Sequence, residues 1–151
     1  MWKRPLFTIS ILLLIYSAIS TVIAILNKLP YEFGGTGNPN TVAADSLTHG
    51  TTISPPLIAL VILAVFTTLT LRRGWLGVVG VVGVTLFALL FLIAGLGEPI
   101  IWRTLRAGRF GIVEIVLLAL TGAGFMLSLW MLFFSARELI NRRQAQGQML
   151  S

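Results

Sequence analysis

The ionisable side chains best placed for chemistry cluster in one short stretch: Glu98, Arg103, Arg106, Arg109 and Glu114. Arg103 and Arg106 are three residues apart and would share one face of a short interfacial helix. Ile100, Ile101, Trp102 and Leu105 would give that helix an apolar face toward lipid, leaving the arginines to meet anions. Glu98 closes the preceding apolar run and Glu114 lies about one turn into the next. A carboxylate at membrane depth needs a partner. One reading has Glu98 and Glu114 neutralise some of these arginines and pin a hairpin, while the others touch phospholipid headgroups. The other makes Glu114, with Arg103, Arg106 or Arg109, an anionic-ligand or proton-coupled site.

A second cluster, Asp45-Ser46-Leu47-Thr48-His49, holds the only histidine. It suggests a Ser-His-Asp arrangement, or metal ligation by Glu32, Asp45 and His49. No nucleophile elbow or oxyanion-hole pattern accompanies the first, and the spacing is not diagnostic of the second. The chain has no cysteine, which removes disulfides, thiolate zinc sites, iron–sulfur clusters and cysteine nucleophiles. No phosphate-binding loop, dinucleotide fingerprint or zinc-protease motif is present. The sequence therefore favours a non-catalytic protein with no metal and no cofactor.

The elements that would carry these residues follow from hydropathy. Of 151 residues, 56% are hydrophobic and 11% charged, with a mean hydropathy of +0.94. That is more apolar surface than a small soluble core can bury. The pattern predicts an all-α, integral membrane four-helix bundle in one membrane domain. Its spans are 6–27, 55–71, 75–96 and 112–135, its outer loops 28–54 and 97–111, and its cytoplasmic tail 136–151. The first run, longer than a signal-peptide core, reads as a retained anchor, with Pro5 suited to the first helical turn. Ser54 is expected to cap the second span, with Pro55 at its first position. The 28–54 stretch reads as a loop whose Leu29, Tyr31, Phe33, Val42 and Leu47 could lie on the membrane or cap the bundle. Residues 137–143 read as a basic continuation of the last span.

The third span carries glycine at every third position, Gly74, Gly77, Gly80 and Gly83. Three residues turn a helix by about 300°, so the series winds around it. Close helix packing is the expected role, shared by Gly124 and Ser128 in the fourth span and by Ser17, Ser20, Thr21 and Ala24 in the first. A groove for a lipid or flat cofactor is the alternative.

The net charge is +6, but the basic residues flank apolar runs and form no face able to track a phosphate backbone, which argues against nucleic-acid binding. Lysine and arginine bias sets orientation. With both termini inside, Lys3, Arg4, Arg72, Arg73, Arg137, Arg142 and Arg143 are cytoplasmic, and Lys28, Arg103, Arg106 and Arg109 lie outside. A bacterial or archaeal plasma membrane is the default setting. The functional expectation is an accessory or assembly subunit, packing through glycine-rich faces against itself or a larger membrane complex, with lipids as its other partners. The alternative is a small transporter or lipid- or anion-binding protein that uses Glu114 and the 103–109 loop.

Overall fold

The computed structural model of the chain describes residues 4–31, 37–108 and 111–147. Arg109, Glu32, Phe33 and Lys3 lie outside the described residues. The described residues form six helices in order: α1 (Pro5–Leu26), α2 (Val42–Thr48), α3 (Leu57–Leu69), α4 (Gly74–Gly97), α5 (Pro99–Ala107) and α6 (Ile112–Gly147). The only extended pairing among the described residues is a bridge between Thr51 and Ser54. Among the described residues, three helical stretches are long and apolar enough to cross a membrane: Pro5–Leu26, Gly74–Gly97 and Glu114–Gln144. The chain is thus all-helical in character and consistent with an integral membrane protein.

α3 departs from its expected bounds of 55–71. It is 13 residues long, and Pro56 occupies its cap position in an extended conformation, ψ 142°. The reason is local. A residue before proline is sterically kept out of the helical region, so Pro55 cannot open a helix when Pro56 follows. Ser54 is accordingly not the cap. Its hydroxyl lies 2.6 Å from the Thr21 hydroxyl of α1, and Thr21 in turn donates to the Ser17 carbonyl at 2.9 Å.

The same rule ends α4. Glu98 precedes Pro99 and is extended, ψ 113°, after which α5 begins with that proline in its first turn. α5 stops at Gly108, whose φ of +62° is the left-handed C-terminal stop that glycine provides without a Cβ clash.

The helices pack through a repeat of alternating four- and three-residue steps. In α1 the buried positions include Leu6, Ser10, Leu13, Ser17, Ser20 and Ala24. α6 buries Leu117, Gly124, Ser128, Met131 and Ser135, while α4 buries Gly77, Val81, Val84 and Ala88. A mean step of 3.5 residues keeps one seam facing its neighbours along a gently wrapped helix. α1 packs on α3 and α6, and α4 packs on the same two helices.

Along α1 and α6, which run antiparallel, large residues face small ones. The Ser10 hydroxyl lies 3.4 Å from the Met131 sulfur, and Ala24 shares an apolar cluster with Leu117 and Ile53. This register sets Leu6 level with Ser135 and Leu13 level with Ser128. In between, Ser17 falls level with Gly124 and Ser20 level with Thr121, small against small. Tyr16 fills part of that gap: its hydroxyl donates to the Leu120 carbonyl at 2.6 Å and lies 3.0 Å from where a Gly124 Cβ would stand.

At the Arg72 end, two arginines close the C-terminus of α3, where unpaired carbonyls and the helix dipole favour cations. Arg142 donates to the Thr70 carbonyl at 2.8 Å and the Arg72 carbonyl at 3.2 Å, and pairs with Glu138 at 2.8 Å. Arg4 donates to the Leu71 carbonyl at 3.2 Å. The basic end expected beyond residue 135 is therefore one unbroken helix with α6, folded back on the α3–α4 turn.

The 28–54 connection is more than a surface loop. It contains α2, and residues 51–54 are all buried, with Ile53 against Ala24 and Leu117. The Thr52 hydroxyl donates to the Pro30 carbonyl, and Thr51 donates to the Ser54 hydroxyl at 3.2 Å. Val42 is buried, Leu29 packs beside Ala24, and Leu47 is exposed.

Candidate functional site

The two proline breaks, Pro55-Pro56 before α3 and Glu98-Pro99 after α4, lie at the same end of the molecule, and Pro55, Pro56 and Glu98 line one cavity of about 460 Å³. At the Pro55-Pro56 break α3 has not yet begun; at Glu98-Pro99 α4 has just ended. Tyr16 of α1 and Thr121 and Phe125 of α6 complete the cavity wall. The volume falls in the range of roughly 300–1,000 Å³ typical of sites that enclose a drug-sized ligand.

The cavity has two kinds of wall. Tyr16 of α1, Phe87 and Phe91 of α4 and Phe125 of α6 make its apolar part, with Thr121 between them. Tyr31, Thr48, His49, Thr51 and Glu98 make its polar part. Glu98 is 4% exposed and is held by a partner within the protein. His49 stacks on Tyr31, ring centroids 5.1 Å apart and planes within 8°. Its Nδ1 lies 3.0 Å from the Thr48 hydroxyl and 4.0 Å from an Asp45 oxygen. Ser46 is turned away, bonding the Ala43 carbonyl at 2.8 Å, so Asp45, Ser46 and His49 do not form a nucleophile–base relay.

Glu98 faces the cavity, whereas Arg103, Arg106 and Glu114 are not among its lining residues. Arg103 and Arg106 are exposed on α5. Trp102 and Leu105 of the same helix are exposed too, and the Trp102 indole donates to the Leu96 carbonyl at 2.7 Å. Glu114 is partly exposed at the start of α6, its carboxylate folded over Gly111. Arg109 lies outside the described residues.

The glycines fall into two groups. A Cβ on Gly80 would stand 2.5 Å from the Thr70 nitrogen and 2.6 Å from the Leu69 carbonyl carbon. One on Gly77 would strike the Arg142 guanidinium and the Arg72 carbonyl, and one on Gly83 the Phe66 ring. Gly124 faces Tyr16 and Phe91. All four thus meet neighbours within this chain. Gly74, expected in the same packing series, has nothing within 4 Å; its φ of +66° makes it a turn glycine instead. Equal spacing concealed that difference because α4 only begins at Gly74.

The chain matches no known protein family, no curated protein and no solved structure. The functional argument therefore rests on the cavity and its chemistry. Sequence reasoning missed that cavity, although its two proline breaks, Pro55-Pro56 and Glu98-Pro99, were visible: apolar segments interrupted by proline are the pattern that marks binding sites in membrane proteins.

Proposed function

We propose that this protein is a four-span membrane protein, with both termini cytoplasmic, that binds a small apolar-tailed molecule in the cavity between its two proline breaks. The observation that carries this reading is the cavity itself, aromatic in one part and polar in the other, at the place where both breaks meet. Binding fits the site better than catalysis. Ser46 bonds the Ala43 carbonyl and not His49, and the His49 ring is stacked on Tyr31 with its side chain 54% exposed.

α3 is the fourth span in this reading. Its 13 residues supply about 20 Å of helix at ~1.5 Å per residue, against a hydrocarbon core of roughly 30 Å. The stretch 51–56 makes up the difference, with residues 51–54 buried and held against α1 and α6 through Ile53 and Ser54. The arrangement leaves Arg4, Arg72, Arg73, Arg137, Arg142 and Arg143 at one end, which the positive-inside rule makes cytoplasmic. Because the chain lacks cysteine, single cysteines report topology without background. Asn38→Cys and Gly108→Cys are expected to react with a membrane-impermeant maleimide on intact cells, while Arg73→Cys and Gln144→Cys react only after lysis. Labelling of Arg73→Cys on intact cells would show that α3 does not cross.

Occupancy is tested by photolabelling. An apolar diazirine probe should label peptides containing Phe91 and Phe125 in the wild type. Thr121→Phe, which fills the cavity from α6, should reduce that labelling about tenfold or more, equivalent to a loss of ~1.4 kcal/mol of binding. Equal labelling in both proteins would place the probe on the lipid-facing surface and remove the basis for a binding role.

A further inference from the structure

Resting on that binding role, the shape and wall chemistry of the cavity narrow its occupant, and we infer a single-chain amphiphile with an uncharged, hydroxyl-bearing head, the class of a monoacylglycerol. Size is the first argument. A volume of about 460 Å³ admits one hydrocarbon chain and cannot enclose a two-chain phospholipid. The direction of the walls is the second. Phe87 and Glu98 both line the cavity on α4 and its end, separated by about 16 Å at ~1.5 Å of rise per residue. An amphiphile would therefore lie along α4, its tail among Tyr16, Phe87, Phe91 and Phe125 and its head level with Glu98. That orientation matches the lipids of the adjoining leaflet.

The head is read from the polar wall. Thr48 and Thr51 bring hydroxyls, His49 an imidazole and Glu98 a carboxylate, and no lysine or arginine is among the described lining residues. A phosphate or carboxylate head would lie beside the Glu98 carboxylate with no basic side chain among the described lining residues to receive it, an arrangement that disfavours an anion. Glu98 has a partner within the protein, and the other polar groups of this wall are hydroxyls and an imidazole, which call for hydrogen bonds and not for a charge. Hydroxyl groups suit this wall because each can donate to Glu98 and accept from a threonine or His49.

The test uses the full chain in phosphatidylcholine nanodiscs. Three probes of one medium chain length are compared by native mass spectrometry: a monoacylglycerol, a fatty acid and an alkyltrimethylammonium. The monoacylglycerol should bind one per chain, about tenfold or more tighter than either charged probe, and its binding should be lost in Thr121→Phe. In Glu98→Gln, which removes the negative charge and keeps the shape, fatty-acid binding should rise toward that of the monoacylglycerol. Tighter binding of the fatty acid or the alkylammonium to the wild type would overturn the head assignment and leave the cavity reading standing. If none of the three binds and the photolabelling is also unchanged by Thr121→Phe, the binding role itself fails.

Discussion

Replacing Gly80 with alanine is expected to destabilise the protein by about 3 kcal/mol, at the upper end of what a single inserted methyl costs in a packed interior. The new Cβ would stand 2.5 Å from the Thr70 nitrogen and 2.6 Å from the Leu69 carbonyl carbon. Both are backbone atoms at the end of α3, so no rotamer change relieves the clash and α3 must move as a whole. Gly122→Ala is the internal control: nothing lies within 4 Å of its Cβ position, and in mid-helix alanine should stabilise by roughly 0.5–1 kcal/mol. Thermal unfolding of the three proteins in one lipid composition reads the contrast. Equal melting temperatures for Gly80→Ala and the wild type would mean that α3 and α4 are not packed this closely.

Loss of the Arg142 side chain should be the second large effect, about 2 kcal/mol for removing charge-assisted hydrogen bonds at a partly buried site. Arg142 holds Glu138 and two carbonyls at once, Thr70 and Arg72, so Arg142→Ala strips both carbonyls of this donor, leaves only Arg4 at the end of α3 and opens space over Gly77. Arg142→Lys should recover little of the loss, because a single ammonium lacks the planar fork that reaches three acceptors on different elements. Amide hydrogen exchange should then be faster in residues 69–74 and little changed around Ile53. Recovery of full stability by lysine would show that positive charge alone matters there.

These effects mark what could and could not be read from the sequence. α1, α4 and α6 were legible because a lipid-crossing helix announces itself by an apolar run, and the turn at Arg72-Arg73-Gly74 by its charge and glycine. The start of α3 was misplaced because Pro55 looks like a first-turn proline until the effect of Pro56 on it is considered. The burial of Thr51-Thr52-Ile53-Ser54 was hidden for a different reason. Those residues read as polar loop, and only the meeting of Ser54 with Thr21, distant in sequence, shows how the hydroxyls are satisfied. One signal was available and unused: the steps of four and three from Leu6 through Ser10, Leu13, Ser17 and Ser20 to Ala24 trace the α1 seam directly.

The site shows the same division. The amphipathic character of α5 was readable from Trp102, Arg103, Leu105 and Arg106. The place of Glu98 in the cavity wall was not, because it depends on Pro99 turning the chain after α4. Glycine spacing suggested a surface for assembly, yet Gly77, Gly80, Gly83 and Gly124 face neighbours inside the chain. An assembly partner would have to use other faces.

Extraction of the wild-type and Thr121→Phe proteins directly into native lipid nanodiscs, followed by native mass spectrometry, addresses the binding role most directly. One small amphiphile per chain, retained by the wild type and absent from Thr121→Phe, is the expected result. A larger protein in fixed stoichiometry with both forms, and no small molecule retained by either, would contradict it and make the chain an assembly subunit instead.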